Sequence, residues 1–145
     1  MELRDELPTI AVAIRGPLGR KGRGRLVVDS GSSMTILDTG FAASIDLTAD
    51  RASGRSRIRG PTGPDLGYRI VAPAVGVLGR ILPSIEVRVH DLAEGLEIDG
   101  VIGMDILAGG KLVLDTPEHS VEFHWKSGTQ LRPPVSDPGS APGRP

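Results

Sequence analysis

Short apolar runs broken by glycine and proline make up the hydrophobic pattern of this chain. Residues 9–14 form a first run that ends at Gly16 and Pro17, and residues 26–28 form a second run without any polar residue. Uninterrupted β-branched residues fit a strand covered on both faces, so we predict a buried strand at 26–28. Residues 85–90 instead alternate apolar and polar, which predicts a half-buried strand.

Turn signals between these runs favour a mostly β domain with one or two short helices. Residues 55–59 alternate, with Arg55, Arg57 and Arg59 on one face, and they lead into the turn sequence GPTGP at 60–64. The other predicted elements are a basic hairpin tip at 19–25, a helix at 41–45 capped by Asp38 or Thr39, return strands at 68–71 and 75–78, and a closing hairpin at 112–125.

Length and composition narrow the class of protein. The 145 residues suffice for one domain, predicted at 9–126, after a charged extension at 1–8 and before a disordered Pro/Gly-rich tail at 127–145. A net charge of −1 gives no reason to expect nucleic acid or an anionic membrane as a partner. The charged N-terminus shows no signal peptide, and polar residues interrupt the apolar region 70–89, so we expect a cytoplasmic protein.

No metal or cofactor is predicted. The chain contains no cysteine, which excludes thiolate ligands and a thiol nucleophile. His119 and His124 lie five residues apart, so on one strand they would face opposite ways and make poor joint ligands.

The sequence carries its strongest chemical signal at Asp29, directly after the predicted buried strand. Burying an unpaired carboxylate is costly, so an acid at the end of a dry strand indicates a site. Gly31 permits a tight turn, and Ser30, Ser32 and Ser33 surround the acid with hydroxyl and amide donors. Asp-Ser-Gly also forms ordinary turns, so the tripeptide alone does not define a function.

A second motif occupies residues 98–107. Val101 and Ile102 form an apolar pair followed by Gly103. This combination resembles one that aspartic proteases place beside the active-site loop, which implies that the missing Cβ lets two chain segments cross closely. Asp105 falls in the first turn of the short helix predicted next, where a carboxylate suits the helix dipole. We therefore expect a structural role for Asp105.

Together these motifs resemble those of single-lobed aspartic proteases of the retropepsin type, close to the bacterial retropepsin-like group. The resemblance covers roughly residues 9–125 and rests on LVVDSGSSMT at 26–35 and DGVIGMDIL at 99–107. It implies an acid-protease β-barrel with Asp29 as the catalytic carboxylate. Ser30 would tie two active-site loops together, and the carbonyl of Gly31 would face the substrate. The turn between the motifs corresponds to the family's substrate-binding flap, formed here by Arg59, Gly60, Pro61, Thr62 and Gly63.

The resemblance also implies a homodimer that cleaves polypeptides. Hydrolysis of this type needs two neighbouring carboxylates that share a proton, and the chain has one such motif, so a partner subunit would supply the second Asp29. Retroviral members pair an acid two residues after the loop glycine with an arginine after the later glycine. Ser33 and Met104 stand at those positions here, and losing both charges together leaves no orphan charge.

Two other functions remain open. A catalytically silent relative would keep the fold as a dimerisation or peptide-binding module. A serine hydrolase would use Ser30 or Ser32, although the chain lacks a Gly-x-Ser-x-Gly motif.

Overall fold

The computed structural model describes residues 7–60, 63–92 and 97–127. Residues 1–6 of the predicted extension (1–8), residues 128–145 of the predicted tail (127–145), and Pro61 and Thr62 of the predicted flap lie outside the described residues. The strands are β1 (Thr9–Arg15), β2 (Lys21–Val28), β3 (Ile36–Asp38), β4 (Gly54–Gly60), β5 (Gly63–Val77), β6 (Arg80–His90), β7 (Gly100–Ile102), β8 (Gly110–Asp115) and β9 (Ser120–Trp125). The helices are α1 (Thr39–Ser44), a 3₁₀ turn (Ala49–Arg51) and α2 (Met104–Leu107).

Seven strands form one sheet in the order β1-β2-β7-β3-β6-β5-β4. An additional antiparallel pairing of β1 with β5 closes six of these strands into a barrel, and β4 extends the sheet beyond β5. The strands β2 and β7 pair in parallel, as do β3 and β6, and β3 and β7 run antiparallel. The predicted mostly β barrel with short helices is therefore confirmed.

Alternating side chains of the barrel strands fill the core. Leu26 and Val28 on β2, Leu37 on β3 and Ile102 on β7 are buried and belong to one continuous apolar cluster. Val27 is also buried, at 9% exposure, so the prediction of a strand covered on both faces is confirmed for 26–28. This strand, paired on one side with β1 and on the other with β7, gives Asp29 a rigid base.

Two predicted boundaries are wrong. Residues 21–25 belong to β2 rather than to a hairpin tip, because the glycines in this segment make room for α1. A Cβ on Gly22 would lie 2.6 Å from the Ile45 side chain, and one on Gly24 would lie 2.9 Å from the Phe41 ring. The two predicted return strands are one strand, β5, in which exposed Pro73 interrupts the ladder locally without ending it.

The polar face predicted for residues 85–90 is also only partly solvated. Ile85, Val87 and Val89 face the core as predicted, but His90 on the other face is 1% exposed. Its burial follows from the neighbouring strands: β3 pairs with β6 at this point, with Asp38 beside His90, and β5 lies on the other side. A residue on the outward face of a strand is solvated only where no other part of the chain packs against that face.

The helix and hairpin predictions hold. The Asp38 carboxylate accepts a hydrogen bond from Gly40 N at 3.0 Å and so caps α1. The strands β8 and β9 form a separate two-stranded sheet, with Leu112, Val121, Phe123 and Trp125 packed against the core cluster. The Trp125 indole nitrogen donates to the Leu78 carbonyl at 2.8 Å, which fixes the hairpin to the turn between β5 and β6.

Candidate active site

Asp29 lies immediately after β2, with its side chain exposed. Two hydrogen bonds fix the backbone that leads into Asp29. Val28 N donates to the Pro8 carbonyl at 2.8 Å, and Asp29 N donates to the Ile102 carbonyl at 3.0 Å. The buried strand therefore delivers an accessible carboxylate from a fixed backbone. Of the loop serines, Ser30 and Ser33 are exposed and Ser32 is half-buried.

Short-range hydrogen bonds set the shape of the loop at residues 29–33. The Asp29 carboxylate accepts from Gly31 N at 2.8 Å, and the Asp29 carbonyl accepts from Ser32 N at 3.2 Å. The Ser32 hydroxyl donates to the Met34 carbonyl at 2.7 Å. Gly31 N thus orients one carboxylate oxygen, and the other oxygen accepts no hydrogen bond from the described part of the chain.

The second sequence motif brackets this loop, as predicted. Met104 N donates to the Ser32 carbonyl at 2.7 Å, so the residues on both sides of Gly103 bond to the backbone of the loop, at Asp29 and at Ser32. A Cβ at Gly103 would lie 2.4 Å from the Met34 carbonyl oxygen, closer than real Cβ atoms approach. The prediction that Gly103 permits a close chain crossing is confirmed. Ile102 is fully buried beneath the crossing and Val101 is half-buried.

Asp105 makes a connection that the sequence reasoning missed. Its carboxylate accepts from Thr35 N at 3.0 Å, from the Thr35 hydroxyl at 2.8 Å and from Ile106 N at 3.0 Å. The Thr35 hydroxyl oxygen in turn accepts from Gly103 N at 3.3 Å. Asp105 lies in the first turn of α2 as predicted, but its main partners lie across the crossing rather than in its own helix. It is a structural clamp between the two motifs.

Burial raises the pKa of Asp105, and the donors from Thr35 and Ile106 partly oppose that shift. A raised pKa is expected for a carboxylate that is partly shielded from water and has no cationic partner within salt-bridge distance among the described residues. Thr35 itself is 2% exposed. Thr35 is therefore buried and Asp105 is half-buried, in contrast to the exposed Asp29.

The predicted flap corresponds to the hairpin of β4 and β5. Gly60 pairs with Gly63 across its tip, and Arg59 pairs with Pro64. Arg55 and Arg57 are exposed and Ser56 is buried, as the alternation predicted. The hairpin belongs to the same sheet as β2, the strand that precedes Asp29, and is connected to β2 through β1 on one side and through β6, β3 and β7 on the other.

Within the described ranges, no group of three or more His, Asp or Glu side chains is arranged to hold a metal ion. No helix in that part of the chain is long and apolar enough to cross a membrane.

The fold and the two crossed motifs agree with a family model. Residues 10–106 match the model described as aspartyl protease. That match covers more than half of the chain, so the protein belongs to the aspartyl protease family. Its fold is that of the retropepsin-like members, as solved structures show.

The EIAV protease complexed with the inhibitor HBY-793 is 22% identical, with a TM-score of 0.56, and the alignment covers 79% of this chain and 99% of that one. The retroviral protease-like domain of Ddi1 from Leishmania major is 19% identical, with a TM-score of 0.54 and coverages of 85% and 98%. A retropepsin-like aspartic protease from Rickettsia conorii is 19% identical, with a TM-score of 0.54 and coverages of 76% and 95%. No match was found among curated proteins.

Proposed function

We propose that this protein is an aspartic endopeptidase whose active site forms between two copies of the chain. Each subunit contributes one Asp29, and a water molecule held between the two carboxylates attacks the peptide carbonyl. The observation that carries the proposal is the exposed Asp29 carboxylate at the end of a buried strand, with one oxygen fixed by Gly31 N at 2.8 Å. Such a fixed, accessible acid suits proton transfer to and from a bound water.

The proposal requires a dimer because one carboxylate cannot perform both proton transfers. One acid must be ionised to deprotonate the water while the other is protonated to donate to the carbonyl oxygen. Two carboxylates a few ångströms apart share one proton, since both cannot ionise cheaply at that distance. A two-fold interface supplies the second acid from the identical loop of the partner. The two acids would then titrate as a pair.

The remaining residues of the site serve this arrangement in the proposal. Ser30 ties the two active-site loops together, and Gly31 offers its carbonyl to the substrate backbone. The β4–β5 hairpin is the flap, with Arg59, Gly60, Pro61, Thr62 and Gly63 contacting the bound polypeptide. The backbone bonds from Ile102 and Met104 to the loop support the role of the second motif as its rigid neighbour.

Mixing wild-type protein with the Asp29→Asn variant tests the shared site. In about ninefold excess of the variant, random pairing leaves about one wild-type subunit in ten with a wild-type partner, so cleavage per wild-type subunit should fall to about a tenth. An equal mass of an unrelated protein controls for adsorption. Cleavage of a peptide library should also fall faster than linearly on dilution below the dimer constant, and sedimentation should show the mass change.

The alternatives give different outcomes. A catalytically silent module would dimerise without cleaving any peptide. A serine hydrolase at Ser30 or Ser32 would be blocked by serine reagents and not by pepstatin. A protein that stays monomeric at every concentration and still cleaves peptides would overturn the proposal.

A further inference from the structure

The β4–β5 hairpin leaves the barrel at a defined point. The first residue of β5 that pairs with β6 is Tyr68, opposite Val89. The described residues of β5 before Tyr68 pair only with β4. A two-stranded ribbon is marginally stable by itself. The direction in which this hairpin projects therefore depends on the side chains that tie its base to the barrel.

Three polar side chains from three strands meet at that base. His90 on β6 places Nε2 2.8 Å from the Ser56 hydroxyl on β4 and Nδ1 3.1 Å from an Asp65 carboxylate oxygen on β5. His90 is 1% exposed and Ser56 is 4% exposed, whereas the Asp65 side chain is 40% exposed. An ionised carboxylate only accepts hydrogen bonds, so Nδ1–H donates to Asp65, while the Ser56 hydroxyl can either donate to Nε2 or accept from it.

The neighbouring backbone is shaped to admit this imidazole. A Cβ on Gly67 would lie 2.7 Å from His90 Nδ1 and 2.0 Å from the Val89 carbonyl oxygen. Gly67 pairs with Ser56 in the hairpin ladder, so the missing side chain opens space directly beside the hydroxyl that His90 contacts. Residues on all three strands thus fit one another at this point.

The order Ser–His–Asp matches the hydrogen-bond order of serine hydrolases, but the surroundings do not suit a nucleophile. Ser56 lies in the middle of β4 rather than on a turn, and its 4% exposure leaves a substrate carbonyl no approach to the hydroxyl. Ser56 borders a groove of about 320 Å³, which Arg55, Arg57, Leu66 and Gly67 also line. Because the Ser56 side chain itself is buried, the cluster of His90, Ser56 and Asp65 suits a structural role that holds β4, β5 and β6 together.

A second tie on the opposite face completes the base of the hairpin. The Tyr68 hydroxyl donates to the Leu47 carbonyl at 2.7 Å, and the side chain of Tyr68 packs against the core cluster. Tyr68 and Gly67 are consecutive on β5 and so face opposite sides of the sheet. The hairpin is gripped from one face by Tyr68 and from the other by His90.

We propose that His90 is the positioning residue of the β4–β5 hairpin, fixing the direction of the hairpin relative to the barrel through Ser56 and Asp65. The catalytic consequence rests on the proposed function, in which this hairpin is the flap. Losing the cluster frees the hairpin to swing, which weakens substrate capture and leaves the chemical step at Asp29 intact.

Hydrogen exchange of the purified protein tests the positioning directly. In His90→Phe, which fills the space without hydrogen bonds, hairpin amides at 55–59 and 65–67 should exchange about tenfold faster or more. Amides of β8 and β9 should keep their wild-type rates. Asp65→Ala should act in the same direction and, at a 40% exposed position, leaves the core unchanged if His90→Phe does not fold. Asp65→Asn keeps an acceptor for Nδ1–H and should stay within about twofold of wild type.

Peptide cleavage gives the second readout. Asp65→Ala should raise KM several-fold with kcat within about twofold of wild type, and Asp65→Asn should restore KM. If no variant or wild-type protein cleaves peptides, the proposed function fails and the exchange rates still decide the role of His90. Unchanged hairpin exchange in both His90→Phe and Asp65→Ala, or equally faster exchange throughout the chain, would overturn the proposal. Labelling of Ser56 by a fluorophosphonate would overturn it as well.

Discussion

Two carboxylates near the chain crossing occupy opposite environments. Asp29 in the loop at residues 29–33 is exposed and accepts one backbone N–H, from Gly31. Asp105 in α2 is half-buried and accepts from two backbone N–H groups and one hydroxyl. Both follow the apolar end of a strand within three residues, so residue type and local pattern do not separate them.

The number of protein donors and the access of solvent distinguish their roles. A carboxylate whose oxygens are occupied by Thr35 and Ile106 has little capacity left to exchange protons with a ligand. Asp29 keeps one oxygen without a protein donor among the described residues, which is the condition for proton transfer to a bound water. The contrast indicates that Asp29 suits proton transfer and that Asp105 stabilises the chain crossing. Substitutions at Asp29, at the crossing and at Asp105 test this assignment.

The largest effect is expected at Asp29. Asp29→Asn should lower peptide cleavage by at least about a thousandfold, since the amide cannot take a proton from water. The free energy of unfolding should change by less than about 0.5 kcal/mol, because the side chain is exposed and the amide oxygen still accepts from Gly31 N. Initial rates and urea unfolding measure the two quantities. A variant with wild-type cleavage would show that Asp29 is not the catalytic acid.

The next effect concerns the crossing that joins the two regions. Gly103→Ala should destabilise the protein by about 3 kcal/mol, because even a methyl group would meet the Met34 backbone at 2.4 Å. Gly76→Ala is the matched control on β5, where the new Cβ would find only an ordinary contact, 3.4 Å from the Ala13 carbonyl oxygen. Its cost should stay below about 1 kcal/mol. Equal midpoints for the two variants in thermal unfolding would contradict a close crossing.

Local patterns were enough to predict much of this fold and the core of the site. The uninterrupted apolar residues at 26–28, the alternation at 55–59 and the turn residues of the closing hairpin each encode their own structure within a few residues. Asp29 was identifiable because an acid directly after a dry strand conflicts with the cost of burial. Gly103 was identifiable because its motif resembles one that aspartic proteases place beside the active-site loop, where a missing Cβ permits a close crossing.

Contacts between distant residues could not be predicted in the same way. The Asp105 clamp depends on Thr35, 70 residues away, and the burial of His90 depends on Ser56 and Asp65 on other strands. The glycines at 22 and 24 resemble a turn in the sequence, and only the packing of α1 against them explains why they lie in a strand. In each case a local signal was present, but its meaning depended on a neighbour that only the barrel topology brings close.

The smallest effect is expected at Asp105 and tests the other side of the comparison. Asp105→Asn places an NH₂ group where one carboxylate oxygen accepted a hydrogen bond, so the donors of Thr35 and Ile106 can no longer all be satisfied. We expect a loss of about 1–2 kcal/mol in the free energy of unfolding at neutral pH. Peptide cleavage should fall far less than in Asp29→Asn. A loss of cleavage as large as that of Asp29→Asn, in a folded protein, would instead assign the chemistry to Asp105.

The pH dependence of this loss sharpens the test. Because burial raises the pKa of Asp105 above its ordinary value of 3.8, the folded protein holds this proton more tightly than the unfolded chain. Stability from Asp105 is therefore fully present below pH 3.8 and declines as pH rises through the raised, folded-state pKa. Asparagine has no such titration, so the stability difference between wild type and Asp105→Asn should shrink from acid toward neutral pH. Urea unfolding of both proteins across that range measures the difference directly. A difference that grows with pH would mean that the donors from Thr35 and Ile106, rather than burial, dominate the proton affinity of this carboxylate.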